Sequence, residues 1–332
     1  MDLKFALFIA SAFSFSSILA LCLIVIACSK TYPNIFRSKK EEFFFDPISN
    51  TKIPFPSIFN KATLNLSVVI PAYNEEARLG PMLEECLDFL EYRKKESPNF
   101  NYEVIIVSDG STDNTVNKAL AYSKKYGTEK VRVLDLEKNR GKGGAVRLGM
   151  LSTRGSLLLF ADADGATKFS DLTKLENSMK VMTNVDYHSL PSEASEKLAI
   201  AIGSRAHLEQ EAVANRTLFR AILMYGFHAL VWLFAVKGIR DTQCGFKLLT
   251  RKASRVCFES LHVERWAFDV ELLYIAQKLK IPISEIAVNW TEIEGSKVTP
   301  IWSWLQMGID LGLIWLRYTI GAWKIKNNKK EE

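Results

Sequence analysis

Apolar positions follow two different patterns along the chain. Residues 5–28 form one unbroken run without a charged residue, whereas beyond residue 65 the apolar positions fall into short runs separated by polar clusters. In a helix, which rises 1.5 Å per residue, about 20 apolar residues cross the ~30 Å hydrocarbon core of a membrane. The first pattern therefore predicts an uncleaved N-terminal transmembrane helix, with a cleaved signal peptide as the alternative.

The charges beside this run predict its orientation. Lys4 precedes it next to Asp2, and four basic residues follow it closely. These are Lys30, Arg37, Lys39 and Lys40. Because basic residues favour the cytosolic side of a membrane, we expect residues 1–30 to be a lumenal N-terminus and anchor, with the rest of the chain in the cytosol. Residues 31–65 carry four prolines and are predicted to be a linker.

The second pattern predicts an α/β fold. Four short apolar runs end in polar clusters and alternate with stretches of helical periodicity. The runs are residues 66–70, 102–107, 131–136 and 156–160. Strands that are apolar nearly throughout and are separated by helices form mostly parallel sheets flanked by helices, as in Rossmann-like folds. Ligands of such sheets bind beyond the carboxyl ends of the strands. The polar stretch 183–197 is predicted to be a surface loop.

Two later segments are predicted to be amphipathic helices at a membrane surface. Residues 217–238 are nearly all apolar, and residues 299–330 carry four tryptophans and end in a basic tail. Tryptophan next to a basic cluster is typical of helices at the lipid headgroup boundary. Burial in the core is the alternative for both segments. Residues 66–298 are thus predicted to form the main domain, followed by a membrane-interface segment at 299–332.

Composition narrows the classes of function. The 332 residues carry a net charge of +6, a mild excess that suits a lipid or phosphate partner, and we expect no nucleic-acid partner. The five cysteines include no CxxC pair, and the four histidines have no metal-ligand spacing. A disulfide framework and a zinc site are therefore disfavoured.

Two aspartates follow the fourth predicted strand, and they suggest a metal site. Asp162 and Asp164 are separated by one residue, directly after the apolar run 156–160. Hard cations such as Mg²⁺ or Mn²⁺ take oxygen ligands and commonly bridge to phosphates. We therefore predict a divalent cation that holds a diphosphate, although a lone pair of this spacing also occurs by chance.

Polar clusters also follow the other three predicted strands. Residues 139–149 contain closely spaced glycines that allow a ligand to approach the backbone, and a helix starting there offers free N–H groups to an anion. The segment matches neither a phosphate-binding Walker A loop nor a dinucleotide GxGxxG loop. Each cluster alone could be a turn or a helix cap. Four clusters at four successive strand ends indicate a ligand site.

Seven segments in this order resemble the family-2 inverting glycosyltransferases. They are residues 68–76, 108–115, 139–147, 161–169, 203–209, 241–248 and 262–273. The resemblance covers roughly residues 66–325 and is strongest to the branch that glucosylates dolichyl phosphate. It implies a GT-A fold in the cytosol, a UDP-glucose donor, a divalent cation, a dolichyl phosphate acceptor and the endoplasmic reticulum membrane. The product would be dolichyl β-D-glucosyl phosphate for protein N-glycosylation.

The resemblance also implies residue roles. Donor-binding residues would be Pro71, Tyr73, Glu75, Asp109, Arg140, Lys142 and Asp162. Metal ligands would be Asp164 and Asp162, and the catalytic group would comprise Asp162, Asp164, Arg205, Asp241 and Asp269. Lys247 would be near the acceptor phosphate, together with Arg216 and Arg220 at the start of the apolar segment 217–238. Trp266 matches a family position near the sugar or acceptor. A snorkelling side chain is the alternative for Arg220, and a helix cap for Asp269.

Rival functions share parts of this pattern. A polyprenyl-phosphate transferase of another sugar, such as mannose from GDP-mannose, would have similar metal and diphosphate motifs. A nucleotidyltransferase would also use a metal and a diphosphate, but it would not need an anchor and tryptophan-rich interfacial helices. An oxidoreductase of Rossmann type is disfavoured because no GxGxxG follows the first strand. A non-catalytic scaffold function would not account for the paired aspartates.

Overall fold

The computed structural model describes residues 3–208, 226, 236–293, 295 and 302–326. The strands are β1 (Phe43–Asp46), β2 (Thr51–Pro54), β3 (Leu64–Ala72), β4 (Tyr102–Ser108), β5 (Val131–Asp135), β6 (Gly155–Ala161), β7 (Ile200–Ser204), β8 (Phe246–Thr250) and β9 (Ile283–Ala287). The helices are α1 (Leu3–Cys28), α2 (Glu76–Glu96), α3 (Thr115–Tyr126), α4 (Lys142–Met150), α5 (Leu172–Thr183), α6 (Pro191–Glu196), α7 (Arg251–Phe258), α8 (Phe268–Lys278) and α9 (Trp302–Thr319).

A seven-stranded sheet with the order β5-β4-β3-β6-β8-β7-β9 forms the centre of the domain. The four predicted strands correspond to β3, β4, β5 and β6, which pair in parallel. Strand β8 runs antiparallel to both of its neighbours. The mostly parallel α/β sheet predicted from the sequence is therefore confirmed.

Apolar side chains cover both faces of this sheet. Successive residues of a strand point to opposite faces, so Val68 and Ile70 pack in one buried cluster and Val69 in the other. Helix α4 lies especially close to the sheet, because a Cβ at Gly149 would overlap the side chains of Val69 and Val107. This close packing places the N-terminus of α4 beside the carboxyl ends of β3 and β4.

The antiparallel strand β8 brings a further segment to the same edge of the sheet. Phe246 at its start pairs with Ala161 at the carboxyl end of β6. The residues that precede β8, including Asp241 and Gly245, are therefore neighbours of Asp162, whose N–H donates to the Gly245 carbonyl at 3.1 Å. The antiparallel strand β8 thus contributes to a site that is otherwise built from the carboxyl ends of parallel strands.

The segment 31–65, predicted to be a linker, is an ordered part of the domain. Strands β1 and β2 form an antiparallel hairpin, and Phe44 packs against Phe55 with ring centroids 5.2 Å apart. Glu41 and Ile58 are buried. The linker prediction is wrong because the prolines at 54 and 56 end a strand and bound a short loop rather than marking an unfolded stretch.

Three other sequence predictions have different outcomes. Residues 183–197 are not only a loop, since they contain α6 and bury Val185 and Tyr187. Among the described residues, no helix is both long and apolar enough to count as a membrane span, so the predicted transmembrane helix is not supported. Most of the predicted interface helix 217–238 lies outside the described residues.

The C-terminal helix α9 has two different faces. Met307, Leu311 and Ile314 are buried against the domain, whereas Ile309 and Trp315 are exposed. Beyond the helix, the ring of Trp323 stacks on His262 with centroids 4.1 Å apart. The segment predicted at 299–332 is therefore partly a core element and partly an exposed apolar surface, while its basic tail from residue 327 lies outside the described residues.

Candidate functional site

A cavity of about 490 Å³ lies at the carboxyl edge of the sheet. This volume is within the range of small-molecule sites, which is about 300–1,000 Å³. The sequence-predicted residues that line it are Pro71, Tyr73, Glu75, Asp109, Lys142, Asp162, Asp164, Arg205, Trp266 and Asp269. The four polar clusters that follow β3, β4, β5 and β6 thus meet in one cleft, as their positions at strand ends predict.

The two aspartates after β6 form a half-buried acidic pair in this cleft. Lys142 Nζ lies 2.6 Å from Asp162 Oδ1, and Arg78 Nη1 lies 4.0 Å from Asp164 Oδ2. Burial and the neighbouring Asp162 charge raise the pKa of the Asp164 carboxyl above its usual range. Gly245 backs the pair, because a Cβ at this position would overlap the Asp162 carboxylate. The Asp162 carboxylate fits here only because Gly245 has no side chain.

These two carboxylates fit a divalent cation shared with a ligand. Within the described part of the chain, no group of three or more His, Cys, Asp and Glu side chains is placed to hold a metal ion. Mg²⁺ and similar ions are commonly held by one or two carboxylates together with substrate phosphate oxygens and waters. Burial is the main cause of the raised pKa of Asp164 and repulsion from Asp162 adds to it; a cation between the two carboxylates would relieve this repulsion.

The carboxylate of Asp109 holds the start of the glycine-rich segment 139–149 in place. Its two carboxylate oxygens accept hydrogen bonds from the N–H groups of Arg140, at 2.7 Å, and Gly141, at 2.9 Å. Burial outweighs these bonds and raises the pKa of Asp109 to about 6. Gly141 has a φ of +84°, and a Cβ there would lie 2.7 Å from the Glu264 carbonyl oxygen. Only glycine therefore suits this turn.

The polar side chains of this loop do not all point into the cleft. Asn139, Gly141 and Lys142 line the cleft, whereas the guanidinium of Arg140 points away from it. Arg140 instead donates to the Phe36 carbonyl and, at 2.6 Å, to Glu41 Oε2. The predicted donor contact of Arg140 is therefore not supported by the placement of its side chain.

Arg205 and Asp241 form a two-point ion pair at the cleft wall. Arg205 Nε donates to Asp241 Oδ2 at 2.7 Å, and Nη2 donates to Oδ1 at 2.9 Å. Burial would lower the pKa of Arg205, but the Asp241 carboxylate outweighs this effect and raises it. The guanidinium also lies 5.4 Å from the centre of the Trp290 ring. Asp241 and Trp290 thus hold Arg205 in one orientation as a permanent cation.

Lys247 and Asp269 form a second ion pair, which is fully buried. Lys247 Nζ lies 2.5 Å from Asp269 Oδ1 and donates to the Cys244 carbonyl at 2.7 Å. The Lys247 side chain has no exposed surface, so the structure does not support its predicted contact with the acceptor phosphate. Burial raises the pKa of Asp269, and Lys247 partly offsets this rise. The carboxylate of Asp269 pairs with a residue of the strand beneath its helix rather than capping that helix.

Several cleft residues were not identified from the sequence. They are Arg78, Asn139, Gln243, Arg265 and Trp290. Arg78 makes two hydrogen bonds to Glu75, at 2.7 and 2.6 Å, and the three-residue spacing of the pair on a predicted helix was an available signal. Trp290 follows β9 in a stretch with no pattern that marks it. The predicted acceptor residues Arg216 and Arg220 lie outside the described residues.

Comparisons with known proteins show which family and which relatives this chain is similar to. The family model described as Glycosyl transferase family 2 matches residues 67–255. A Drosophila melanogaster protein named dolichyl-phosphate beta-glucosyltransferase is 61% identical over 95% of this chain and 94% of its own length. Proteins of the same name from Homo sapiens and Saccharomyces cerevisiae are 54% and 45% identical, over 97% and 80% of this chain and 96% and 78% of their own lengths.

A solved structure shares the fold. It is glucosyl-3-phosphoglycerate synthase from Mycobacterium tuberculosis in complex with Mn²⁺, UDP-glucose and phosphoglyceric acid. The TM-score is 0.51 at 15% identity, over 83% of this chain and 90% of that one. The resemblance found in the sequence motifs is confirmed by the family model and by the relatives at high identity. The chain belongs to glycosyl transferase family 2.

Proposed function

We propose that the chain transfers glucose from UDP-glucose to dolichyl phosphate with inversion, giving dolichyl β-D-glucosyl phosphate. The observation that carries this proposal is the 61% identity, over nearly the whole chain, to a protein named for this activity. The cleft supports it, since it combines an acidic pair for a cation with basic groups for phosphates and has room for a nucleotide sugar.

The donor is held where the strands β3, β4 and β6 end. Pro71, Tyr73 and Glu75 face the cleft from the end of β3 and the turn after it, and they bind the nucleoside. At the start of α4 the ammonium of Lys142 binds the diphosphate, whereas the N–H groups of Gly141 and Gly144 are already bonded to Asp109 and to the Glu264 carbonyl. Asp162 and Asp164 would hold a divalent cation, Mg²⁺ or Mn²⁺, and the chemistry it would supply is neutralisation of charge on the departing UDP.

The acceptor needs positioning rather than activation. A phosphate is already ionised at pH 7, so its oxygen attacks the anomeric carbon without a strong general base. A single in-line displacement inverts that carbon, which converts an α-linked donor into a β-linked product. The task of the protein is to bring two anions together, and the cations Arg205 and Arg265 line the cleft for this purpose. Arg216 and Arg220 are further proposed contacts of the acceptor phosphate.

The lipid acceptor implies a membrane location, and two features support it. Residues 5–28 of the sequence carry no charge, and within α1 the side chains of Phe13 and Phe15 are 74% and 69% exposed. Apolar surface of this kind is stable only when lipid or protein covers it. From the uncharged sequence run 5–28, and not from the structure of α1, we propose a single-pass anchor in the endoplasmic reticulum membrane, with the catalytic domain in the cytosol. The exposed face of α9 would lie at the headgroup level.

The first experiment measures sugar transfer into solvent-extractable lipid. Membranes containing the full chain receive exogenous dolichyl phosphate and labelled UDP-glucose or GDP-mannose, each with and without EDTA. We expect EDTA-sensitive incorporation from UDP-glucose alone. Incorporation from GDP-mannose would keep the mechanism and reassign the sugar, whereas no incorporation from either donor would refute the proposed transfer reaction.

Substitutions at two aspartates, one in the cleft and one outside it, provide a test and a matched control for the same assay. Asp164→Asn should lower activity about 10³-fold. This is the size of effect expected from the loss of one preorganised electrostatic group. Asp135→Asn changes a carboxylate that also ends a strand and is 35% exposed, but that pairs with Lys40 away from the cleft. Activity should persist in this control. Full activity of Asp164→Asn would refute the metal assignment.

A further inference from the structure

The segment Phe36–Glu41, which we call the strap, lies against α4. At one end of α4, Arg37 Nη2 donates to the Leu148 carbonyl at 3.3 Å and also bonds the Ser152 hydroxyl. At the other end, the Phe36 carbonyl and the Glu41 carboxylate accept from the guanidinium of Arg140. The strap therefore contacts the last turn of α4 and the loop that leads into its cleft-facing N-terminus.

Glu41 joins the strap to the segment that precedes α4. Its side chain has no exposed surface. Oε2 accepts from the Ser38 N–H at 3.0 Å and from Arg140 at 2.6 Å, and Oε1 accepts from the Glu137 N–H at 3.1 Å. A buried carboxylate is costly unless it is paired and hydrogen-bonded, and Glu41 satisfies both conditions. Its position is therefore strongly fixed by its partners.

Arg140 transmits this fixed position to the cleft. Its backbone N–H is held by Asp109, its side chain is held by the strap, and its two chain neighbours Asn139 and Gly141 line the cleft. The Arg140 guanidinium also lies 5.5 Å from the centre of the Phe36 ring. Gly141 ends the loop, and Gly143 and Gly144 lie in the first turn of α4. A stretch so rich in glycine has little stiffness of its own, so its conformation depends on such external contacts.

We propose that the strap positions the loop that binds the donor diphosphate, and that Glu41 is a positioning residue that acts through Arg140. This inference rests on the proposed function, because it concerns the donor site of that reaction. It assigns Arg140 a role behind the loop rather than in contact with the donor. It also explains why a segment near the N-terminus is ordered against α4.

The test compares donor binding in Glu41→Gln, Arg140→Gln and the double variant. UDP affinity is measured by calorimetry with Mn²⁺ on the purified full chain, and KM values are measured separately for UDP-glucose and dolichyl phosphate. Each single variant should raise the UDP Kd and the UDP-glucose KM about tenfold, a modest effect for a loop displaced by a fraction of an ångström. The acceptor KM should stay unchanged. The double variant should be no worse than either single one, since both remove the same link.

The control is Lys40→Gln, which changes the neighbouring strap residue. Lys40 is exposed and pairs with Asp135 outside the cleft, so its loss should leave donor binding unchanged. A folded Glu41→Gln variant with wild-type UDP affinity would overturn the proposal. If only Arg140→Gln weakened binding, Arg140 would contact the donor directly, and the proposal would likewise fail.

If Glu41→Gln does not fold, Arg140→Lys tests whether the strap positions the loop. This variant keeps a cation for Glu41 but loses the second guanidinium arm that reaches the Phe36 carbonyl. The UDP Kd should rise several-fold, and an unchanged Kd would overturn the proposal. Wild-type protein that binds UDP but transfers no glucose would refute the proposed function alone, since UDP binding tests the strap independently. Wild-type protein that binds no UDP would overturn both.

Discussion

Replacing Lys247 by methionine should destabilise the domain strongly, because it leaves the buried carboxylate of Asp269 without its partner. The two charged atoms are 2.5 Å apart, with side chains 0% and 4% exposed. At an effective dielectric constant of about 20, unit charges about 3 Å apart attract by about 5–6 kcal/mol, and this attraction offsets several kcal/mol of desolvation per ion. Removing one partner of such a pair costs about 3–5 kcal/mol.

The double variant Lys247→Met/Asp269→Leu separates stability from catalysis. Replacing both ions by apolar groups of similar size should recover most of the lost stability, because no charge is then left unpaired. Asp269 lines the cleft, so the double variant should nevertheless remain inactive in glucosyl transfer. Urea unfolding of the detergent-purified chain gives the free energies of unfolding for wild type, both single variants and the double variant.

Two results would refute the argument that the two residues act as a pair, and a third would refute the catalytic role of Asp269. A loss of less than about 1 kcal/mol in Lys247→Met would mean that water or another group compensates Asp269. Additive losses in the double variant would mean that Lys247 and Asp269 stabilise the fold independently rather than as a pair. Wild-type activity in the stable double variant would remove Asp269 from the catalytic group.

Three further predictions concern the cleft and the anchor. Gly245→Ala should displace the Asp162 carboxylate and lower kcat by about 10²-fold in the transfer assay, while Gly312→Ala, whose Cβ meets nothing within 4 Å, should keep full activity. The pKa of Asp109 is about 6, so the carboxylate that anchors the glycine loop becomes protonated as the pH falls through 6, and donor affinity should fall there in calorimetry. Because this folded-state pKa lies above the unfolded one, the native state binds more protons, and the Asp109 contribution to stability decreases as the pH rises from about 4 to 6. Asp109→Asn should lack both dependences. Deleting residues 1–28 should release the protein from membranes in a flotation assay, and continued flotation would refute α1 as the principal anchor.

The sheet and the location of the site could be predicted from local sequence patterns. The strands β3 to β6 are apolar nearly throughout because helices cover both faces, and this composition is visible in the sequence. Asp109, Asp162 and Asp164 follow such strands directly. Strand direction fixes where they lie, so their meeting in one cleft followed from the order of elements.

The directions of individual polar side chains could not be predicted in this way. Arg140 and Lys247 are both basic residues near the cleft in sequence, yet Arg140 binds a carboxylate away from the cleft and Lys247 is buried behind the cleft residue Asp269. The partner of Arg140 lies 99 residues away, and that of Lys247 lies 22 residues away in the next layer. A local pattern does not contain such pairings. The hairpin of β1 and β2 was missed for a related reason, since its short strands gain stability from burying Phe44 against the domain.

The contact between the two ends of the chain has a consequence for synthesis. The Thr31 carbonyl accepts the Lys324 N–H at 3.0 Å and faces His262 Nε2 at 3.3 Å. At roughly 5–20 residues per second, a ribosome produces Lys324 about 15–60 s after Thr31. Throughout this interval, the first segment to emerge after α1 lacks its final partners. The nascent chain therefore completes the packing around Thr31 only after Lys324 has been synthesised, and chaperones have access to that segment until then.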